Sequence, residues 1–144
     1  MDNMTYIGID FGRKRIGLAR SDPTGLIASA YKTISYKSIN QAIDEIVEDI
    51  KEYEAVGVVV GYPLSTVDGG DKGERCQMVD DFVERLGKKY DGPVIMFDER
   101  YSSAEAESII HLHDQKIGRD KARIDRMAAA IILQRFLDEQ RENG

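Results

Sequence analysis

The segment Thr5–Ser21 has the sequence TYIGIDFGRKRIGLARS and carries the strongest signal for the fold. It contains two short apolar runs separated by a turn, a pattern that is typical of neighbouring β-strands. We expect a first strand over Thr5–Asp10 and a second over Arg15–Ser21. Gly12 lies in the turn between them, where a glycine is free to adopt a positive φ. The stretch therefore predicts a β-hairpin whose first strand ends in an acid.

The remainder of the chain alternates helical and strand patterns. A continuous β-branched run indicates a buried parallel strand, and apolar residues spaced three and four apart indicate amphipathic helices. We therefore predict one α/β domain over residues 1–144, with a mixed five-stranded sheet and helices on both faces. The predicted elements after the hairpin are strands at Lys32–Ser35, Ala55–Val60 and Pro93–Asp98 and helices at Ile39–Ile50, Met78–Leu86, Ser103–His111 and Ile124–Leu137.

The composition excludes several classes of protein. The 144 residues are 42% hydrophobic and 32% charged, and no apolar run approaches the roughly 18 residues of a membrane span. Cys76 is the single cysteine, which excludes an internal disulfide and a zinc site built from several thiolates. The sequence therefore predicts a soluble, cytoplasmic protein that has no membrane partner.

Positive charge is concentrated in two short segments. Residues 10–20 and residues 116–126 each carry a net +3, and because the whole chain carries −6, the rest carries −12. Basic islands in an acidic protein predict a site for a phosphate-bearing ligand such as nucleic acid, although basic residues also cluster on solvated faces. Arg100, outside both islands, could bind a phosphate or pair with Asp98. The predicted nucleic-acid-binding residues are Arg13, Lys14, Arg15, Arg100, Arg119, Lys121 and Arg123.

Acidic residues stand at the ends of strands and at the start of a helix. Asp10 ends the first strand, Asp98 and Glu99 end the fifth, and Asp125 opens the last helix. Ligands of open α/β sheets bind beyond the carboxyl ends of the strands, and clustered carboxylates are tolerable when they hold Mg²⁺ or Mn²⁺. Taken singly, Asp10 could instead cap a turn, and Asp125 could be an acid of a helix's first turn.

Four segments together resemble the YqgF family of Holliday-junction-resolvase-like nucleases, which is implicated in maturing the 5′ end of pre-16S rRNA. They are IDFGRKRIGLA over residues 9–19, VVGYPL over 59–64, DERYSS over 98–103 and IDRMAA over 124–129. Their order and spacing match the family's across nearly the whole chain. The chain departs from the family's pattern at Tyr62, Tyr101 and Arg126, none of which replaces an acid.

The resemblance implies a ribonuclease-H-like fold and a metal-dependent nuclease. Asp10, Glu99 and Asp125 correspond to the family's proposed catalytic acids and metal ligands, with Asp98 beside them as a further catalytic candidate. The implied cofactor is Mg²⁺ or Mn²⁺, and the implied partners are nucleic acid and a ribosomal precursor. Independently of the resemblance, we expect the loop over Tyr62–Lys72 to be the most mobile segment and to become ordered over bound nucleic acid.

Three other functions remain open from the sequence. The substrate could be branched DNA, as for a Holliday junction resolvase, rather than pre-16S rRNA. The chain could bind nucleic acid without cleaving it, although proteins of that kind tend to lose the acids. The opening strand–Asp–turn–strand also resembles a phosphate motif of actin-like ATPases, but those need two such domains to hold ATP.

Overall fold

The computed structural model describes residues 3–62, 73–98 and 121–143. Within these ranges, each predicted strand and three of the four predicted helices form. The fourth, Ser103–His111, lies outside the described residues, as does 63–72 of the predicted loop. The elements are β1 (Tyr6–Phe11), β2 (Arg15–Ser21), β3 (Ala28–Ser35), α1 (Ile39–Glu52), β4 (Gly57–Tyr62), α2 (Glu74–Gly87), β5 (Val94–Asp98) and α3 (Lys121–Asn143).

The five strands form one mixed sheet in the order β3-β2-β1-β4-β5. The β1–β2 and β2–β3 pairs are antiparallel, whereas β4 is parallel to both β1 and β5. Because β1, β4 and β5 point the same way, their carboxyl ends meet at one edge of the sheet. The prediction of a mixed five-stranded sheet with helices on both faces is confirmed.

Helices α1 and α2 cover one face of the sheet with large apolar side chains. The strands contribute residues such as Ile7, Ile9 and Leu18, and α2 contributes Phe82, which stacks on Phe11 with ring centroids 4.6 Å apart. Strand residues two apart share a face, so the alternation of β1 and β2 directs these side chains to the α1 and α2 side. This layer is the larger of the two cores.

Helix α3 covers the opposite face and lies very close to β1 and β2. A Cβ atom added to Gly8 would lie 2.8 Å from the Cβ of Leu133, and one added to Gly17 would lie 2.0 Å from the main-chain oxygen of Asp125. Neither position has room for a side chain, because backbone and packed Cβ atoms occupy the space. Glycine at these two positions therefore sets how near α3 approaches the sheet.

Several predicted boundaries are corrected by the structure. Strand β3 begins at Ala28 rather than Lys32, because hydrogen bonds to β2 continue to Ser21. Tyr62 is the last residue of β4, paired with β5, and not the first residue of a loop. Helix α3 begins at Lys121, so the prediction that Asp125 opens the helix was wrong. Gly12 keeps a negative φ.

Candidate nucleic-acid and metal site

Asp10 lies on the face of the sheet that α3 covers, near the carboxyl end of β1. Gly8 contacts Ala129 and Leu133 of α3, and Asp10 shares its face because it is two residues further along the strand. In the β1–β2 ladder Asp10 is paired with Gly17. Directly opposed residues of this kind are about 5 Å apart at their α-carbons and project to the same side.

Asp125 reaches the same place from the helix. It is the fifth residue of α3, and its backbone lies directly over Gly17, the strand partner of Asp10. Its carboxylate oxygen Oδ2 accepts a hydrogen bond from the Nε of Arg15, at 2.6 Å. The exposed fraction of the side chain is 21% for Asp125 and 31% for Arg15, so the pair is partly shielded from water.

Of the other two predicted acids, Asp98 and Glu99, the structure describes only Asp98. Asp98 is the last residue of β5, in register with Tyr62, at the same sheet edge as Asp10. One strand lies between β1 and β5, which separates their backbones by about 10 Å. Glu99 lies outside the described residues, as do Arg100 and Arg119. The convergence of Asp10, Glu99 and Asp125 on one pocket therefore stays a prediction.

The chemistry of the donors suits a hard divalent cation. Asp10 and Asp125 offer carboxylate oxygens, which Mg²⁺ and Mn²⁺ prefer. Within the part of the chain that the structure describes, no group of three His, Cys, Asp or Glu side chains is close enough to hold an ion. Two of the three predicted ligands therefore share one corner, and the third, Glu99, lies outside the described residues.

The two basic islands meet at the same corner. Arg13 and Lys14 are exposed in the turn between β1 and β2, and Lys121 is exposed in the first turn of α3. The start of α3 is fixed to the sheet because the hydroxyl of Thr33 donates to the main-chain oxygen of Ala122, at 2.6 Å. Thr33 is the β3 partner of Gly17. Arg15 of the first island contacts Asp125, whereas Arg13 pairs with Glu74 of α2. The tertiary structure thus brings Arg15 and the start of α3 to the corner of Asp10 and Asp125.

Tyr36 holds the basic turn in place. Its hydroxyl donates to the main-chain oxygen of Gly12 at 2.6 Å, and its amide donates to that of Lys14 at 3.2 Å. A Cβ atom on Gly12 would lie 2.7 Å from the main-chain oxygen of Arg15, so the glycine is required by close approach and not by φ. The turn therefore presents its cations from a fixed backbone. Neither Tyr36 nor Thr33 could be singled out from the sequence, because their residue types carry no signal for this role.

Two of the departures from the YqgF pattern have local explanations. Arg126 is next to Asp125 in sequence, but its Nη1 lies 3.3 Å from the hydroxyl oxygen of Thr33, so it extends across the sheet. Tyr62 is buried, and its hydroxyl donates to a carboxylate oxygen of Asp80 at 3.2 Å. Burial, assisted by this hydrogen bond, raises the pKa of Tyr62 to about 12. The third departure, Tyr101, lies outside the described residues.

Comparison with known families gives a match across nearly the whole chain. The family model described as "RuvX: Holliday junction resolvase" matches residues 4–139. The chain belongs to the RuvX family. The resemblance to the YqgF family, which is the same family, is thereby confirmed, and with it the assignment to a family of nucleases.

Curated relatives match this RuvX-family chain at full length. A protein of Rippkaea orientalis is 39% identical over 141 residues, which cover 98% of this chain and 100% of the relative. One from Roseiflexus sp. is 39% identical over 135 residues, covering 94% of both chains. Each of the two is named "Putative pre-16S rRNA nuclease".

Solved structures confirm the predicted ribonuclease-H-like fold of the RuvX-family chain. RuvC of T. thermophilus in complex with a Holliday junction superposes with a TM-score of 0.61 at 14% identity, covering 96% of both chains. The Holliday junction resolvase of fowlpox virus superposes with a TM-score of 0.58 at 11% identity, covering 95% of this chain and 99% of that one. In the described ranges no helix is both long and apolar enough to span a membrane.

Proposed function

We propose that this protein is a divalent-metal-dependent nuclease that hydrolyses phosphodiester bonds during 5′-end processing of pre-16S rRNA in the cytoplasm. The observation that carries the proposal is the contact of α3 with Gly17, which places Asp125 over the strand partner of Asp10. Two carboxylates more than a hundred residues apart in sequence thus share one corner of the fold. The name of the full-length relatives supports pre-16S rRNA as the substrate.

Asp10, Glu99 and Asp125 would hold Mg²⁺ or Mn²⁺, with Asp98 beside them at the same sheet edge. When bound, such an ion activates the attacking water and stabilises the charge that develops on the leaving oxygen. The carboxylates of Asp10 and Asp125 would hold the ion near the carboxyl end of β1, and the packing of α3 on Gly8 and Gly17 fixes the position of the helix on the strands.

The basic residues at this corner would bind the phosphate backbone on either side of the cleaved bond. Arg13 and Lys14 approach from the turn, and Lys121 and Arg123 approach from the start of α3. Arg100 and Arg119 belong to the same proposed set. Because the two basic islands carry +6 together and the rest of the chain carries −12, a polyanion is repelled from the other surfaces and binds at this corner.

A second candidate substrate is the four-way DNA junction. The description of the matching family favours it, since that description names a Holliday junction resolvase. Both substrates are phosphodiester polyanions, so the corner built from Asp10, Asp125 and the basic turn could serve either.

A cleavage assay distinguishes the candidates. Purified protein is incubated with pre-16S 5′-leader RNA or with a four-way DNA junction, each in Mg²⁺, Mn²⁺ or EDTA. We expect cleavage of the RNA that requires the metal ion. Cleavage of the junction instead would assign the alternative substrate, and binding without cleavage of either would make the chain a non-catalytic module.

The matched control for the acids lies on the same helix. Asp125→Asn should abolish cleavage, whereas Asp138→Asn, which alters a half-exposed acid bonded to Arg141 and Gln134, should leave the rate unchanged. Equal rates for Asp125→Asn and the wild type would contradict the proposed site.

A further inference from the structure

The ion pair between Arg15 and Asp125 conflicts with a metal ion at the same carboxylate. The Nε of Arg15 lies 2.6 Å from Oδ2 of Asp125, which is the distance of a charge-assisted hydrogen bond. A divalent cation bound at this carboxylate would lie within a few ångströms of the guanidinium. Like charges at that separation, partly shielded from water, repel each other.

The position of Arg15 offers its side chain a second partner. Arg15 is the first residue of β2 and directly follows the exposed turn that carries Arg13 and Lys14. Its side chain is 31% exposed, so the guanidinium is accessible from the surface on which nucleic acid is proposed to bind. A planar guanidinium matches the geometry of a phosphate as well as that of a carboxylate.

We propose that Arg15 exchanges its partner during binding: it holds Asp125 in the metal-free protein and transfers to a substrate phosphate when the metal ion binds. This inference rests on the proposed function of the same site. When nucleic acid binds Arg15, Asp125 becomes available to the ion. When the ion binds Asp125, Arg15 becomes available to nucleic acid. Each ligand therefore tightens the binding of the other by the same factor, because the coupling of two binding equilibria is reciprocal.

The exchange makes Arg15 a positioning residue whose function can be measured without an activity assay. Isothermal titration gives the Mn²⁺ affinity of the wild type, Arg15→Gln and Arg15→Lys in the absence of nucleic acid. Without the competing guanidinium, Arg15→Gln should bind Mn²⁺ about tenfold more tightly, within the usual range of coupling between sites. Arg15→Lys keeps the positive charge but loses the planar guanidinium. Its Mn²⁺ affinity should lie between those of the wild type and Arg15→Gln.

The matched control is Arg13→Gln. It removes one positive charge from the same turn, but Arg13 pairs with Glu74 and its side chain is 62% exposed. Its Mn²⁺ affinity should stay within about twofold of the wild type, because exposed charges are strongly screened. An equal gain in Mn²⁺ affinity in Arg13→Gln and Arg15→Gln would mean that only the net charge matters, and it would overturn the proposed exchange.

The decisive measurement repeats the Mn²⁺ titrations with pre-16S 5′-leader RNA whose backbone carries phosphorothioate linkages throughout, so that it resists hydrolysis. A denaturing gel confirms afterwards that this RNA is intact. RNA should tighten Mn²⁺ binding severalfold more in the wild type than in Arg15→Gln. The same tightening in both proteins would overturn the inference while leaving the proposed function standing. Failure of Mn²⁺ to bind the wild type and Arg15→Gln alike, together with no cleavage of RNA or junction, would overturn both.

Discussion

The two faces of the sheet are built from the same strands and differ in the size of the side chains they present. On the α1 and α2 side, β1 and β2 contribute large apolar residues such as Ile9 and Leu18, which form a conventional core. On the α3 side, the same strands contribute Gly8, Gly17 and Asp10, and the helix backbone comes almost into contact with the sheet.

This difference shows how a binding site can be built into a tightly packed sheet. Large side chains keep a helix about 10 Å from a sheet, whereas glycines let it approach until main-chain atoms touch. The close approach places Asp125 of the helix over the strand partner of Asp10. The α1 and α2 face carries the larger core, whereas the α3 face combines a smaller apolar cluster around Leu133 and Phe136 with glycines that position charged groups.

The largest expected effect comes from filling the space under α3. Gly17→Ala adds a methyl group 2.0 Å from the main-chain oxygen of Asp125, so the helix must move away from the sheet. We expect the free energy of unfolding, measured by urea denaturation, to fall by about 3 kcal/mol or more. Gly87→Ala is the control, because nothing lies within 4 Å of its Cβ, and it should be neutral or slightly stabilising. Equal effects would mean that the close packing of α3 is unimportant.

The second prediction tests the negative charge of Asp10, at the corner that it shares with Asp125. Asp10→Asn keeps the shape of the side chain and removes one negative charge from the cluster of acids, so the repulsion between carboxylates falls. The metal-free variant should therefore be as stable as the wild type or more stable. Mn²⁺ at about 100 times its dissociation constant should stabilise the wild type by about 2.7 kcal/mol and the variant far less, as seen in thermal melts. Nuclease activity should fall to background. A variant that loses stability without metal and keeps its response to Mn²⁺ would show that Asp10 is a structural cap.

The third prediction concerns the exposed cations of the turn. The double variant Arg13→Gln/Lys14→Gln should weaken RNA binding and flatten its salt dependence by about 0.7–0.9 of a unit in the log–log slope for each lost phosphate contact. Lys51→Gln/Lys88→Gln removes two exposed charges from the α1 and α2 side and should leave the slope unchanged. Identical slopes for both double variants would place the nucleic acid elsewhere, and Lys121→Gln/Arg123→Gln then tests the start of α3.

The smallest expected effect lies on the α1 and α2 side. Tyr62→Phe removes the hydrogen bond to Asp80 and should lower the free energy of unfolding by about 1 kcal/mol at neutral pH. Because the pKa of Tyr62 is raised to about 12, the folded state favours the protonated phenol. The stabilisation of the folded state by the protonated Tyr62 is complete below pH 10 and is lost as the pH rises towards 12. The difference between the two proteins should therefore shrink in urea unfolding at pH 11, and a growing difference would contradict the assignment.

The elements of the sheet could be predicted from local patterns, but several of their boundaries could not. Strand β2 forms over the predicted residues, because an apolar run bounded by turns is a local signal. Strand β3 starts four residues before the prediction, because its first residues are held by β2 and by Gln134 of α3, whose side chain accepts from the amide of Ala28. Such partners are distant in sequence and leave no local pattern.

The acids of the candidate site could be proposed from their positions at the ends of predicted elements, but their contacts in the folded protein could not. Asp10 and Asp125 were predicted from a strand end and a helix start together with a family resemblance, and they share one corner. The ion pair of Asp125 with Arg15 joins residues 110 positions apart. From the sequence, Arg15 was predicted only to contact nucleic acid.

The strands, the helices within the described ranges and the two concentrations of positive charge follow from local sequence, because each depends on residues that are close together in the chain. Which of these elements meet depends on contacts between distant residues. The contact between Gly17 and the backbone of Asp125, and the hydrogen bond from Thr33 to Ala122, bring the two basic islands to one edge of the sheet. The physical reason is that a glycine within a strand is ambiguous from sequence, and its role appears only when the helix that fills its space is in place.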